Sequence, residues 1–137
     1  MDISRARAVV IKDNKILLIH RFRAGTEYYV LPGGHIDEGE TPEITVMREL
    51  KEETSIESTF IKKLDIVIDE DKNTHHIFLC EYISGTPKLA EGSSEVMDTT
   101  HENVYIPKWI DLDKVFLVPM WPREVGIFLK GYLQNRG

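Results

Sequence analysis

Three glutamates, Glu49, Glu52 and Glu53, are crowded together in the sequence, and Arg48 directly precedes them. A helix from Pro42 to Glu53 is predicted by apolar residues about one turn apart, which are expected to face the core: Ile44, Met47 and Leu50. At about 100° per residue, the three carboxylates fall within one arc of about 100°, with the arginine at its border. Like charges at this spacing destabilise a helix by a few tenths of a kcal/mol per pair. Because one arginine cannot neutralise three carboxylates, the pattern suggests a bound cation.

The residues before this helix could complete a metal site. Oxygen ligands on a rigid helix favour Mg²⁺ or Mn²⁺ over softer metals. A turn at Gly33 and Gly34 would let a backbone carbonyl approach the same ion, and Glu40 is close enough in sequence to join the cluster. The alternative is a solvated acidic face, which is the more common explanation of a run of charges. The charge pattern alone leaves both interpretations open.

The segment from Gly34 to Ile56 resembles the Nudix box, G-x5-E-x7-R-E-U-x-E-E-x-G-U, in which U is an aliphatic residue. The matching residues are Gly34, Glu40, Arg48, Glu49, Leu50, Glu52, Glu53 and Ile56. Ser55 stands where the family has a glycine, which suits the left-handed residue that ends a helix. A serine there is expected to cost up to about 1 kcal/mol or to shift the helix end slightly.

The resemblance implies a MutT-like hydrolase that cleaves a nucleoside diphosphate linked to another group, with Mg²⁺, or alternatively Mn²⁺, as cofactor. It implies that Glu49, Glu52 and Glu53 bind the metal, with the Gly33 carbonyl as a further candidate ligand. Glu40 would either support this cluster or bind a further metal ion through water. Arg48 would hold the glutamates in place by ion pairing. The general base lies in the box in some family members and in a late loop in others. In that loop Glu102 is the candidate, ahead of Glu95 and Glu91; the alternative is that Glu102 is only a surface charge of the loop.

Substrate recognition is less well determined by the sequence. Arg21 and Arg23 follow the second predicted strand, where they would meet phosphate or, alternatively, only solvent. Tyr29 is selected as a substrate-binding residue from a set of aromatic residues that could stack on a base. The others are Phe22, Tyr28, Tyr105 and Trp121. Lys72 stands where a proline marks some ADP-ribose hydrolases, so the sequence does not favour that subfamily.

The elements around the box predict an α/β fold. Two apolar runs, at 6–11 and 15–20, predict a β-hairpin, and further strands are expected at 27–31, 60–68, 75–83 and 104–110. A second helix is expected at about 121–133. The order of elements resembles the Nudix-type α/β/α sandwich with a mixed β-sheet. Residues 1–137 are expected to form one such domain, with a polar surface loop at 91–103.

Composition excludes several other classes. The 137 residues carry a formal net charge of -6, which disfavours a nucleic acid polymer as partner. The single cysteine, Cys80, excludes an internal disulfide and a cysteine-based zinc site. No apolar stretch approaches the roughly 20 residues of a membrane span, so a cytoplasmic protein is expected. A homodimer would be in keeping with the resemblance, although the sequence identifies no interface.

Two other functions fit the same fold. A non-catalytic Nudix-like module would bind a nucleotide as a sensor, but such modules typically lack box glutamates that this chain keeps. A prenyl diphosphate isomerase would need a reactive cysteine, but Cys80 lies in an apolar run, which predicts a core residue rather than a nucleophile. Hydrolysis of a small nucleotide derivative is therefore the prediction.

Overall fold

A computed structural model describes residues 3–88 and 103–136 of the chain. The strands are β1 (Ser4–Lys12), β2 (Lys15–Arg23), β3 (Thr26–Val30), β4 (Gly33–His35), β5 (Glu57–Ile68), β6 (Thr74–Ser84) and β7 (Asn103–Asp111). The helices are α1 (Pro42–Thr54) and α2 (Arg123–Asn135), and a 3-10 helix (Leu112–Leu117) precedes α2. The strands and helices expected from the sequence are all present, with their ends shifted by a few residues. None of the helices in these ranges is both long enough and apolar enough to cross a bilayer.

The strands form the mixed sheet that was predicted. Along its main path the order is β3-β2-β1-β6-β5. β1 runs parallel to β6, and it is antiparallel to β2 and to the short β4. β2 pairs with β7 in addition to β3. The start of β1 is therefore flanked by β4 on one side and β6 on the other.

Apolar side chains fill both faces of the sheet, because alternate residues of a strand point to opposite faces. One cluster packs beneath α1 and includes Ala8, Leu17, Leu50 and Phe78. The other packs beneath α2 and the 3-10 helix and includes Val9, Leu18, Val115 and Leu129. Cys80 is buried in the first cluster, as predicted, and burial raises the pKa of its thiol to about 12. The arrangement is the α/β sandwich that the sequence predicts.

Both ends of α1 follow the sequence signals. At the start, the Thr41 hydroxyl accepts a hydrogen bond from the backbone N–H of Ile44 at 3.2 Å, and Pro42 occupies the first turn. At the end, Ser55 adopts the left-handed conformation with φ 63°, and its backbone N–H donates to the Lys51 carbonyl. Serine has therefore kept the helix end where a glycine would place it, at a conformational cost.

Ser55→Gly is expected to stabilise the protein by up to about 1 kcal/mol, because glycine adopts a positive φ without steric strain. Urea unfolding of the two proteins measures the difference. Ser58→Gly is a suitable control: Ser58 lies in β5, and glycine within a strand lowers stability. Equal destabilisation by both substitutions would contradict the assignment of strain to Ser55.

The rotation of α1 differs from the one expected from its apolar residues. Ile44 was expected in the core, yet its side chain is 56% exposed, whereas Val46 and Leu50 are fully buried. The buried face also includes Glu53, which is 2% exposed. The apolar spacing predicts the helix but not its orientation, since Val46 was not assigned to the apolar face. The rotation brings Glu53 against the sheet.

Candidate active site

A polar cleft of about 590 Å³ brings together residues from α1 and from several strands. Its charged side chains include Glu49 and Glu53 of α1 and four arginines of β1 and β2, namely Arg5, Arg7, Arg21 and Arg23. In each strand the two arginines are two residues apart, so they lie on the same face. Carboxylates and guanidinium groups thus border one solvent-accessible space, although the chain as a whole is acidic.

Glu53 is the buried acid of the cleft. Its Oε1 accepts a hydrogen bond from the Gly33 N–H at 2.9 Å, and its Oε2 accepts one from the Tyr105 hydroxyl at 2.7 Å. Burial raises the pKa of Glu53 to about 8, and repulsion by Glu49 acts in the same direction. The two hydrogen bonds and Arg7 oppose this shift but do not cancel it. In the metal-free protein, Glu53 therefore holds a proton at neutral pH.

The raised pKa of Glu53 predicts that the metal-free protein loses stability as the pH rises. Between the ordinary glutamate pKa of about 4.3 and about 8, the folded state binds a proton that the unfolded state has released. At about 1.4 kcal/mol per pKa unit, the loss across this range is expected to be a few kcal/mol. Urea unfolding in EDTA from pH 5 to pH 9 measures it. In Glu53→Gln this component should be absent, and parallel pH profiles of the two proteins would contradict the assignment.

The carboxylate of Glu49 lies close to Gly34. A Cβ atom added to Gly34 would lie 2.7 Å from the carboxyl carbon of Glu49, too close for any side chain to fit without moving that carboxylate. Gly33 has φ 152°, and a Cβ there would lie 1.9 Å from the carbonyl oxygen of Ala6. The two glycines therefore let β4 approach both β1 and the acidic face of α1.

Arg48 connects the carboxylates around the helix. Its Nε and Nη2 donate to both oxygens of Glu40, at 2.7 and 2.8 Å. Its Nη1 donates to Glu49 at 3.0 Å and to Glu52 at 3.3 Å, and Nη2 also reaches Asp37 at 3.2 Å. The hydrogen bonds from Arg48 lower the pKa of Glu40 to about 2. Glu40 is thus engaged by the arginine on both oxygens.

The donor chemistry suits a hard divalent cation, because every candidate ligand offers oxygen. Glu49 and Glu53 border the cleft with Gly33, whereas Glu52 is half-exposed on the side of Arg48. Within residues 3–88 and 103–136, no three histidine, cysteine or acidic side chains converge closely enough to form a complete metal site. The residues therefore fit a cation that is coordinated by Glu49 and Glu53. Glu52 could coordinate the same cation only if its carboxylate gave up the hydrogen bond from Arg48.

The substrate-binding candidates are only partly brought together. Arg21 and Arg23 both line the cleft, and Arg21 lies over the Tyr105 ring at 4.6 Å while its Nε donates to the Val104 carbonyl. Tyr29 does not line the cleft: it is 9% exposed, stacks on His20 and packs in the cluster beneath α2. Since neighbouring residues of a strand face opposite ways, Tyr28 takes the place in the cleft that Tyr29 was expected to hold.

Several residues of the cleft were not singled out by the sequence. Arg7 and His75 are joined by a hydrogen bond across 68 residues of sequence, a separation that no local pattern reveals. Asp69, six residues before His75, is hydrogen-bonded to the ring of this histidine. Tyr105 was considered only as a base-stacking residue, yet its hydroxyl binds Glu53. The candidate base Glu102 and its alternatives Glu95 and Glu91 lie outside the described residues.

Comparison with known proteins gives consistent similarities. The family model described as NUDIX domain matches residues 2–130. An ADP-ribose pyrophosphatase of Methanocaldococcus jannaschii is 33% identical over 93 residues, 64% of this chain, and the chain spans only 55% of that protein's length. An RNA pyrophosphohydrolase of Pelagibacter ubique is 30% identical over 117 residues, 78% of this chain and 74% of that one. A solved NUDIX hydrolase of Nitrosomonas europaea shares the fold, with TM-score 0.78 at 15% identity over 99% of this chain and 73% of that one.

Proposed function

Since the chain belongs to the Nudix family, we propose that it is a hydrolase that uses Mg²⁺ to cleave a pyrophosphate bond of a nucleoside diphosphate derivative. Water would attack one phosphorus atom of the diphosphate. The bond from this atom to the bridging oxygen would break, and the bridging oxygen would leave with the other phosphate. The observation that supports this most strongly is the shared cleft, in which Glu49 and Glu53 face the same space as four arginines. Arginine matches the geometry of phosphate oxygens, and the carboxylates suit the cation that accompanies a diphosphate.

In this proposal Glu49, Glu53 and Glu52 hold the cation, with the carbonyl of Gly33 as a further ligand. The ion would neutralise charge on the phosphoryl oxygens and lower the pKa of the attacking water. Glu40 is assigned to the support of Arg48, whose two nitrogens already engage both of its oxygens.

We assign removal of the proton from the attacking water to a carboxylate acting as general base. Glu53 and Glu102 are the two candidates for this role. Glu53 is favoured by its position in the cleft and by the Tyr105 hydrogen bond that fixes its orientation. Glu102 is favoured by its place directly before β7, the strand that carries Tyr105.

Trp121 is proposed to stack on the base of the substrate. Its side chain is 53% exposed at the cleft, although large aromatic side chains are usually buried in a domain of this size. Its backbone N–H donates to the Tyr29 carbonyl at 2.9 Å, so the ring is carried by a segment that is fixed to β3. An exposed aromatic ring on a fixed backbone provides a flat apolar surface for a base.

The proposed substrate class is a small nucleotide derivative, which is broader than the substrate named in any one relative. Two of the relatives carry ADP-ribose and RNA in their names. The proline that marks some ADP-ribose hydrolases could not replace Lys72 here, because Lys72 has φ 70° and proline is confined to about −65°. We therefore expect a small nucleotide derivative, without restricting it to ADP-ribose.

The test is a panel of substrates incubated with the protein and Mg²⁺ in ¹⁸O-labelled water. The panel includes ADP-ribose, an oxidised purine nucleoside triphosphate, a UDP-sugar, a dinucleotide and a 5′-triphosphorylated RNA oligonucleotide. We expect hydrolysis of at least one small nucleotide, with ¹⁸O in a phosphate product that identifies the attacked phosphorus. Binding of a nucleotide without turnover of any member, in Mg²⁺ and in Mn²⁺, would overturn the proposal in favour of a nucleotide-binding sensor.

A further inference from the structure

A buried polar network on β1 and β6 borders the cleft. His75 of β6 is 1% exposed, and its Nε2 lies 2.9 Å from Oδ2 of Asp69. Its other ring nitrogen, Nδ1, accepts a hydrogen bond from Nε of Arg7 at 3.4 Å. Nη1 of Arg7 donates to the Leu31 carbonyl at 3.1 Å. The guanidinium group of Arg7 is thus fixed on two sides.

The protonation state of His75 follows from these contacts. Burial lowers the pKa of His75, and the Arg7 charge acts in the same direction, so the ring is neutral despite Asp69. Burial raises the pKa of Asp69, but hydrogen bonds from His75 and from the backbone N–H groups of Asn73 and Asp71 outweigh it. A neutral imidazole beside a carboxylate carries its proton on Nε2, which leaves Nδ1 as an acceptor. Asp69 therefore selects the tautomer that can hold Arg7.

Arg7 carries a charge that its protein contacts leave largely uncompensated. Burial removes water from around this charge and lowers the pKa of Arg7. Among the residues that the structure describes, its hydrogen-bond partners are a neutral imidazole and a carbonyl. Its Nη2 donates to neither of them, and the side chain lines the cleft.

We propose that Arg7 is a phosphate-binding residue of this cleft and that His75, held by Asp69, is the positioning residue that aims it. Because Arg7, Glu49 and Glu53 line the same cleft, a phosphate bound by Arg7 shares that cleft with the carboxylates that are assigned to the cation. This inference rests on the proposed function, since it names the group that receives the diphosphate there.

Arg5, Arg21 and Arg23 line the same cleft, but their surroundings differ. Arg5 contacts the exposed His35, and Arg21 lies on the Tyr105 ring. Neither guanidinium is backed by a buried histidine. Arg7 differs from both in that a buried imidazole holds its guanidinium group. A donor that is already oriented loses less side-chain entropy when it binds an anion.

The first experiment measures binding of methylenediphosphonate, whose P–C–P bridge water cannot cleave, by calorimetry in Mg²⁺. Arg7→Lys keeps the charge, but a single ammonium cannot serve His75, Leu31 and a phosphate together. We expect the Kd to rise about ten-fold or more. Arg123→Lys, an exposed arginine at the start of α2, is the matched control and should bind as the wild type does. An unchanged Kd in Arg7→Lys, or no binding by the wild type, would overturn the proposal.

The second experiment changes the tautomer and leaves Arg7 in place. Oδ1 of Asp69 accepts the N–H groups of Asp71 and Asn73 at 2.9 and 3.0 Å. In Asp69→Asn the amide oxygen stays with these donors, so the NH₂ group faces Nε2 of His75. The imidazole proton must then move to Nδ1, where it opposes the N–H of Arg7.

For Asp69→Asn we expect the ¹⁵N shifts of His75 to change from the Nε2–H to the Nδ1–H tautomer. The Kd for methylenediphosphonate should rise several-fold at temperatures well below unfolding, which a purely structural role would not cause. Asp113→Asn, at an exposed aspartate in the 3-10 helix, is the control. A changed tautomer with unchanged Kd would overturn the role of His75. If the protein binds the diphosphonate through Arg7 but hydrolyses no substrate, the proposed hydrolase function is contradicted and the phosphate-binding role of Arg7 is kept.

Discussion

Glu53→Gln is expected to lower kcat by about 10²–10⁴-fold, the range usually seen when a group that transfers a proton in the transition state is lost. The substitution removes the negative charge but keeps the size and shape of the side chain. The amide oxygen can still accept the Gly33 N–H, and the amide N–H can donate to the Tyr105 hydroxyl. The loss of rate would therefore reflect the missing carboxylate rather than a collapsed site. Steady-state kinetics on the best substrate of the panel measures it.

Two further variants show whether the loss of rate is particular to Glu53. Glu43→Gln, an exposed glutamate in the first turn of α1, is the matched control and should leave kcat unchanged. Glu102→Gln tests the other candidate base, and the variant with the larger loss and an altered pH profile identifies the base. A wild-type kcat in Glu53→Gln would contradict the assignment of this residue to the chemistry.

Arg48→Lys is expected to raise the Mg²⁺ concentration needed for half-maximal activity by about 10–100-fold, the usual effect of losing a group that orients metal ligands. One guanidinium reaches four carboxylates, with both oxygens of Glu40 bound at 2.8 Å or less. A lysine keeps the charge but cannot form this fork of hydrogen bonds. Glu49 and Glu52 would then lose their common orientation.

The expected effect of Arg48→Lys differs from that of Glu53→Gln in one measurable way. Excess Mg²⁺ should restore most of the activity of Arg48→Lys, because the ligands themselves remain, whereas no Mg²⁺ concentration should restore Glu53→Gln. Arg136→Lys, at the exposed end of α2, serves as the control. A Mg²⁺ titration of Arg48→Lys identical to that of the wild type would show that the arginine does not position the ligands.

The parts of the fold that depend on neighbouring residues could be predicted from the sequence. Thr41 and Pro42 fix the start of α1 by local hydrogen bonding and a restricted φ, so the helix start was predicted from two adjacent residues. The motif also located its end at Ser55, although with a serine in place of a glycine. These interactions span no more than four residues.

The parts of the site that depend on tertiary packing could not be predicted. Arg7 and His75 are 68 residues apart in sequence, and they meet because β1 runs parallel to β6. The exchange of Tyr29 for Tyr28 depends on which face of β3 is turned toward α2. The burial of Glu53 depends on the rotation of α1. None of these three features can be predicted from a local sequence pattern.

The residues that line the cleft differ in how they are anchored, and this has a consequence for protein engineering. The acidic residues belong to α1, whose Val46 and Leu50 are buried in the core, so changes of size or backbone there would disturb folding. Arg23, Tyr28 and Trp121 also line the cleft but belong to neither apolar cluster. A mutagenesis library restricted to these three positions could change the substrate selectivity of the protein and leave its thermal stability largely unchanged.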